Sequence, residues 1–302
     1  MCFWIKKIIR ILYIKINVVY DFFTSKNVVC SIGDLMLLRS EMYENQFLVS
    51  SRVLDIKDYF FNKSTKFNFQ TQISLSKYGE KKYKANYYNE KFIELIKSYQ
   101  KEGYKEGTPL LADKFLRLMD GNHRLACNYF FEMEKVSVKF VKRRVPYRFG
   151  IDCFVDCRLS SDLLRIVFDE YKEIQKKLVS RGDCFCFFSD DSEIAQSLHY
   201  VARVLKQVQV DLKNDLVLSD GVAVHSGKYC LVLFSLPNPN YYCKGNRLFS
   251  ARIDEIRKIL MKKKNIERDS TELLLLTDSC LEGFLLYNQL KPFLRESNMS
   301  EG

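Results

Sequence analysis

The chain has 302 residues, a formal net charge of +11 and an apolar fraction of 47%. This length suits two ordinary domains or one large one, and the apolar fraction excludes a disordered chain. The net charge favours anionic partners, namely nucleotides, nucleic acid, anionic lipid or phosphorylated glycans. Solvated surface lysines explain the same charge balance, so the charge alone does not identify the partner.

Ten cysteines occur without a C-x-x-C pair and without regular spacing. Only His123, His199 and His225 accompany them, so we expect no structural zinc site. Most of the cysteines lie in apolar runs such as residues 184–188. This placement is typical of small buried hydrophobes in a reducing compartment, and it predicts a cytoplasmic protein.

The first 25 residues are strongly apolar but interrupted by basic side chains. Five polar or charged residues fall within one arc of about 100° on a helical wheel. No run approaches the roughly 20 uncharged residues of a bilayer-spanning helix, and a small-residue cleavage site is lacking. Residues 1–25 are therefore predicted to form a basic amphipathic helix. It either lies on the anionic inner face of the membrane as a peripheral anchor or packs on the body of the protein.

Helical and strand periodicities alternate in the first half of the chain. Apolar residues recur at helical spacing from Phe92 to Tyr99, whereas residues 62–89 are polar and tyrosine-rich and are predicted to form a loop region. A basic cluster at residues 139–148 precedes the predicted domain boundary. The predicted elements are a helix ending near Gly103, strands at 108–112 and 115–119, a helix at 120–133 and a strand at 136–141.

Strands and helices also alternate in the second half. This alternation predicts an α/β arrangement for residues 149–302. The fold class is therefore predicted to be α+β, with an N-terminal domain at 30–148 and a second, α/β domain at 149–302. The predicted elements are strands at 149–157, 184–188, 229–234 and 273–276, and helices at 162–178, 191–210 and 253–261.

The most specific motif is the heptad Asp120-Gly121-Asn122-His123-Arg124-Leu125-Ala126. It follows an apolar, strand-like run and opens a helical pattern. A glycine turn at a helix N-terminus presents backbone N–H groups, and the helix dipole adds partial positive charge there. The Arg and His side chains in the first turn add further donors. The motif therefore predicts a phosphate-binding site.

With its flanking elements, this motif resembles the core of the ParB/sulfiredoxin superfamily over residues 88–144. The resemblance implies nucleotide binding, with the phosphates against residues 120–126. Carried over by position, Gly121 supplies the turn, His123 and Arg124 are similar to the phosphate-contacting pair, and Asp120 matches the acid before the glycine. In this superfamily, ParB proteins use CTP to clamp DNA, sulfiredoxin uses ATP to phosphorylate a cysteine sulfinate, and a third branch phosphorylates free serine.

The chain departs from two of these branches. Asn122 stands where sulfiredoxin has its reactive cysteine, so we do not expect sulfinate reduction by that route. The region after residue 150 shows no convincing helix-turn-helix of the kind that ParB proteins use to read DNA. Nucleotide binding therefore remains as the expectation, and binding of nucleic acid is the weaker alternative.

The motif residues also suit phosphoryl transfer, which depends mainly on positioning and charge neutralisation. Arg124 offers a forked clamp for phosphate, Asn122 can orient a substrate or a water, and His123 can donate to phosphate or act as acid or base. Asp120 can bind Mg²⁺ or accept a proton from an attacking hydroxyl. In the structural interpretation, Asp120 is only a turn or N-cap residue and His123 only a helix-start residue.

The sequence thus predicts a nucleotide-binding protein. The expected activity is phosphotransfer from a nucleoside triphosphate, ATP or CTP with Mg²⁺, to a small-molecule acceptor with a hydroxyl group, such as a sugar or glycan precursor. A ParB-like, nucleotide-dependent nucleic-acid binder and a non-catalytic scaffold are the alternatives.

Overall fold

A computed structural model describes residues 27–37, 45–64, 67–69, 71–72, 82–103, 109–113, 116–141, 154, 159–219, 221–236, 239–263 and 274–294. The predicted N-terminal helix, the strand predicted at 149–157 apart from Phe154, and the predicted boundary at 145–150 lie outside these residues. The predicted domain division therefore stays a prediction.

The first half of the chain forms a four-stranded mixed sheet with helices packed against it. The elements are β1 (Asn27–Cys30), α1 (Ile32–Met36), α2 (Asn45–Phe61), α3 (Lys82–Glu102), β2 (Leu110–Ala112), β3 (Leu118–Asp120), α4 (Asn122–Phe130) and β4 (Val136–Phe140). Strand β1 pairs antiparallel with β4, β4 pairs parallel with β2, and β2 pairs antiparallel with β3.

The second half contains a second four-stranded sheet. The elements are α5 (Ser161–Ser180), β5 (Phe185–Ser189), α6 (Ser192–Ser197), β6 (Arg203–Leu212), β7 (Leu216–Val217), β8 (Ala223–Val224), β9 (Gly227–Ser235), β10 (Tyr241–Lys244), β11 (Arg247–Ser250), α7 (Ala251–Lys263), β12 (Leu274–Leu276) and α8 (Cys280–Leu290). The strand order in the sheet is β12-β5-β9-β6, and every neighbouring pair is antiparallel.

Mixed helices and sheets confirm the predicted α+β class at this coarse level. The antiparallel pairing in the second half differs from the parallel sheet that an α/β arrangement implies. Strands β5 and β9 nevertheless read as continuous apolar runs, because nearly all of their residues are buried. None of the described helices combines the length and apolar character needed to cross a membrane.

Two predicted elements need correction. The helix predicted at 191–210 is instead the short α6, a turn of 3₁₀-helix at Leu198–Tyr200 and the strand β6. From Val208 onward β6 alternates buried and less buried residues, because pairing with β9 overrides local helical spacing. The loop predicted at 62–89 is also too long, since α3 begins at Lys82.

Both halves contribute to one hydrophobic cluster. Val28 and Leu110 from the first sheet and Phe187 and Leu231 from the second all belong to it. The cysteines at 30, 127, 184, 186, 230 and 280 are buried free thiols, as predicted. Helix α2 packs against both α4 and α5. Helix α4, which carries the motif, is therefore held in position by packing against another helix.

Candidate functional site

The predicted phosphate site begins where β3 gives way to α4. Gly121 is the N-cap residue and has φ +106°, in the left-handed region that favours glycine. It therefore supplies the turn, and as a glycine it has no side chain with which to cap the first turn of α4. The Leu125 N–H donates to the Gly121 carbonyl at 2.8 Å, and this is the first backbone hydrogen bond of the helix.

Leu110 fills the space beside Gly121. A Cβ built on Gly121 would lie 2.5 Å from Leu110 Cδ2 and 3.4 Å from Arg124 Nη2. The absence of a side chain therefore serves packing against β2, and this side of Gly121 does not face a ligand.

We expect Gly121→Ala to lower the free energy of unfolding by about 1–3 kcal/mol, from backbone strain and contact with Leu110. Gly221 has φ +86° and open space around its Cβ position, so Gly221→Ala isolates the cost of the left-handed backbone, about 1 kcal/mol. Chemical denaturation of both variants measures the difference. Equal losses would contradict a close approach at Gly121.

Arg124 lies in the first turn of α4 and is anchored at both of its terminal nitrogens. Its Nη1 donates to the Pro109 carbonyl at 3.1 Å, and its Nη2 donates to Asp120 Oδ2 at 2.9 Å. The Arg124 side chain is 17% exposed and the Asp120 side chain 68%. Such an ion pair, open to water on one side, contributes at most about 1 kcal/mol, so an incoming anion can replace Asp120 at little cost.

His123 packs against the edge of the Phe92 ring, with ring centroids 4.5 Å apart. Burial, with a smaller contribution from the positive charge of Arg52, lowers the pKa of His123 from 6.5 to about 3. The imidazole is therefore neutral at physiological pH and is a weak base. It can donate a hydrogen bond, but its pKa is far from that of an efficient general acid or base near neutrality.

Asp120 and Asn122 differ in their access to solvent. Asp120 is exposed, whereas the buried Asn122 Oδ1 accepts no hydrogen bond within the described residues. The structure thus brings Asp120, Gly121 and Arg124 together at the end of β3. The Oδ1 atom of Asn122 is buried. Within the described residues, no three His, Cys, Asp or Glu side chains cluster as a metal site would require.

A separate cleft of about 360 Å³ lies in the second half of the chain. Its walls are the loop after β7, the end of β12, one side of α8, and Arg247 at the start of β11. Arg247 lines the cleft, whereas residues 239–241 do not. No residue of the 120–124 motif lines it either, so the two sites are distinct.

Two polar segments of the second half have structural roles. Asp191 caps α6, because its Oδ1 accepts from the Glu193 and Ile194 N–H groups at 2.8 and 3.1 Å. A turn at Lys244-Gly245-Asn246 joins β10 to β11, with Gly245 at φ +62°.

Comparison of the chain with protein-family models, with curated proteins and with solved structures finds no match.

Proposed function

We propose that the N-terminus of α4 binds the phosphates of a nucleotide, and that the protein transfers a phosphoryl group to a small hydroxyl compound. The observation that carries this proposal is the position of Arg124. Its guanidinium lies beside the exposed Asp120 carboxylate, next to the Gly121 turn that begins α4. A forked cation combined with the positive end of a helix dipole favours phosphate over other small anions.

Phosphate binding exchanges one partner of Arg124. The phosphate takes the place of the Asp120 carboxylate on Nη2, while the bond from Nη1 to the Pro109 carbonyl keeps the guanidinium in place. Asp120 is released by this exchange, and its exposed carboxylate can approach a bound acceptor. The neutral His123 contributes a hydrogen-bond donor at most, so Asp120 is the better candidate for the general base.

In the transfer step, the acceptor hydroxyl oxygen attacks the terminal phosphorus of the nucleotide. The bond from that phosphorus to the bridging oxygen breaks, and the nucleoside diphosphate leaves with the bond's electron pair. The hydroxyl proton passes to the Asp120 carboxylate. Mg²⁺ would neutralise phosphate charge. In the alternative role that the sequence gives Asp120, its carboxylate would hold this ion together with phosphate oxygens and would not accept the proton.

The test is thermal unfolding in the presence of Mg²⁺ with ATP, CTP or tripolyphosphate. At a nucleotide concentration 100-fold above Kd, linkage stabilises the folded state by about 2.7 kcal/mol, which raises the Tm by about 4 °C for a chain of this size. We expect Arg124→Ala to abolish the rise and Arg124→Lys to keep part of it, because lysine retains the charge but not the fork.

Arg165→Ala is the matched control, since Arg165 is an exposed arginine on α5 and is not part of the 120–126 motif, and it should keep the full rise. A rise with tripolyphosphate alone would assign the site to phosphate without a nucleoside. No rise with any of the three, or an unchanged rise in Arg124→Ala, would contradict the proposal. Nucleoside diphosphate release with sugar acceptors, lost in Asp120→Asn while binding remains, separates transfer from binding alone.

A further inference from the structure

The cleft in the second half has the size and lining of a small-molecule site. Its volume of about 360 Å³ lies within the range of ligand pockets. It is built on β12 and α8, which both pack against β5 at the centre of the second sheet. Its walls therefore belong to the rigid body of the protein and divide into an apolar side and a polar side.

The apolar side consists of leucines from three elements. Leu218 comes from the loop after β7, Leu275 and Leu276 from β12, and Leu285 and Leu286 from α8. Leu285 is 39% exposed, so part of this wall remains in contact with water. An apolar group that covers it gains about 25 cal/mol for each Å² removed from water.

The polar side is a chain of ion pairs. Arg247 Nη2 lies 2.6 Å from Glu282 Oε1, and Glu282 Oε2 accepts from the Asp278 N–H at 2.9 Å. Arg257 lies behind this wall, and its Nη2 lies 2.7 Å from Asp278 Oδ1.

Acids outnumber bases in this chain of ion pairs. Arg257 also contacts Asp254, at 3.1 Å, so three carboxylates face two guanidinium groups. Among these described side chains the excess is one negative charge, in a protein whose formal net charge is +11.

Two groups at the cleft keep hydrogen-bonding capacity. The Asp278 side chain is 18% exposed, and only its Oδ1 makes a hydrogen bond within the described part of the chain. Gln289 Oε1 accepts from the Ser219 N–H at 3.3 Å, and its Nε2 donates to no described residue. The cleft thus offers a carboxylate acceptor and an amide donor beside its leucines.

We propose that this cleft binds a small amphiphilic amine. The ammonium group lies at Asp278, where it neutralises the excess negative charge, and the apolar body lies on Leu285 and the neighbouring leucines. A carbonyl or hydroxyl oxygen on the same ligand accepts from Gln289. This site is independent of the phosphate site proposed for the first half.

Three probes with the same phenyl body and different charges test the proposal by calorimetry on the full chain. They are 2-phenylethylamine, 2-phenylethanol and 3-phenylpropionate. We expect the amine to bind about tenfold more tightly than the alcohol, a difference of about 1.4 kcal/mol, and the carboxylate to bind most weakly. Because the contact is partly exposed, the preference should shrink as salt increases.

Two variants and one control assign the binding to the cleft. Asp278→Asn should remove the preference for the amine over the alcohol, and Leu285→Ser should weaken the amine and the alcohol severalfold. Ile259→Ser changes an equally exposed apolar residue on α7 outside the cleft and should change neither affinity. Equal affinity for amine and alcohol, tighter binding of the carboxylate, or an unchanged preference in Asp278→Asn would overturn the proposal.

Discussion

Replacing Asp34 with alanine should lower the free energy of unfolding by about 3–5 kcal/mol, because several buried donors lose their acceptor at once. The Asp34 carboxylate is fully buried and accepts from Ser31 within its own half of the chain. It also accepts from Tyr241 Oη at 3.0 Å and from the N–H groups of Cys280 and Leu281 at 2.8 and 3.2 Å. The two N–H groups belong to the first turn of α8.

This loss is a large fraction of a typical total stability of 5–15 kcal/mol. Ser279→Ala is the matched comparison, because Ser279 caps the same helix through one bond, from the Glu282 N–H to its Oγ at 3.3 Å. A lost cap costs about 1 kcal/mol. Urea denaturation of both variants gives the two free energies. If Asp34→Ala lowers the free energy of unfolding no more than Ser279→Ala does, the hydrogen bonds between Asp34 and the second half of the chain contribute little to stability.

Local patterns were sufficient to predict the elements whose ends are determined by nearby residues. The helix predicted at 162–178 is α5, which extends over Ser161–Ser180, and the Ser160 Oγ accepts from the Leu163 N–H at its start. The helix predicted to end near Gly103 is α3, and Gly103 follows it with φ +69°. These signals lie within one helical turn of the boundary that they determine.

Boundaries set by tertiary contacts were predicted less well. The strand predicted at 115–119 begins at Leu118, because Leu116 adopts a φ of +54°. The buried Arg117 side chain turns back to pair with Asp113, which holds the preceding residues in a loop. The apolar run alone cannot distinguish such a loop from an extension of the strand.

In the candidate site, too, local features could be predicted from the sequence, whereas features that depend on tertiary contacts could not. The turn at Gly121 and the start of α4 follow from the motif itself. The low pKa of His123 depends on burial and on Arg52, which belongs to α2, and the pairing of Arg124 with the Pro109 carbonyl depends on the position of β2. These contacts come from segments distant along the chain, so the sequence predicted donors for phosphate but not the loss of basicity of His123.

Replacing Asp183 with asparagine should make the protein more stable relative to wild type as the pH rises. Burial, reinforced by the neighbouring Asp34 carboxylate, raises the pKa of Asp183 from 3.8 to about 7, against smaller opposing effects of hydrogen bonds from Ser31 and Gly33 and of the Arg181 charge. Between about pH 4 and pH 7 the folded wild type therefore binds more protons than the unfolded chain. Its stability falls through this window because ionisation is easier in the unfolded state.

An asparagine does not titrate, so the variant lacks the loss of stability that the wild type undergoes as the pH rises. Each tenfold change in acidity corresponds to about 1.4 kcal/mol. The variant's free energy of unfolding, relative to wild type, should therefore rise by up to about 4 kcal/mol from pH 4 to pH 8. His123 acts in the opposite sense, because its lowered pKa makes the folded state bind fewer protons below about pH 6.5. The difference between variant and wild type cancels that contribution.

Urea denaturation at intervals of half a pH unit from 4 to 8 measures this difference. Asp169→Asn removes an exposed carboxylate on α5 and serves as the control for the loss of one carboxylate. A flat difference for Asp183→Asn would mean that Asp183 is already ionised at low pH in the folded state. The hydrogen bonds that Asp183 accepts from Ser31 and Gly33 would then outweigh the cost of burying its charge.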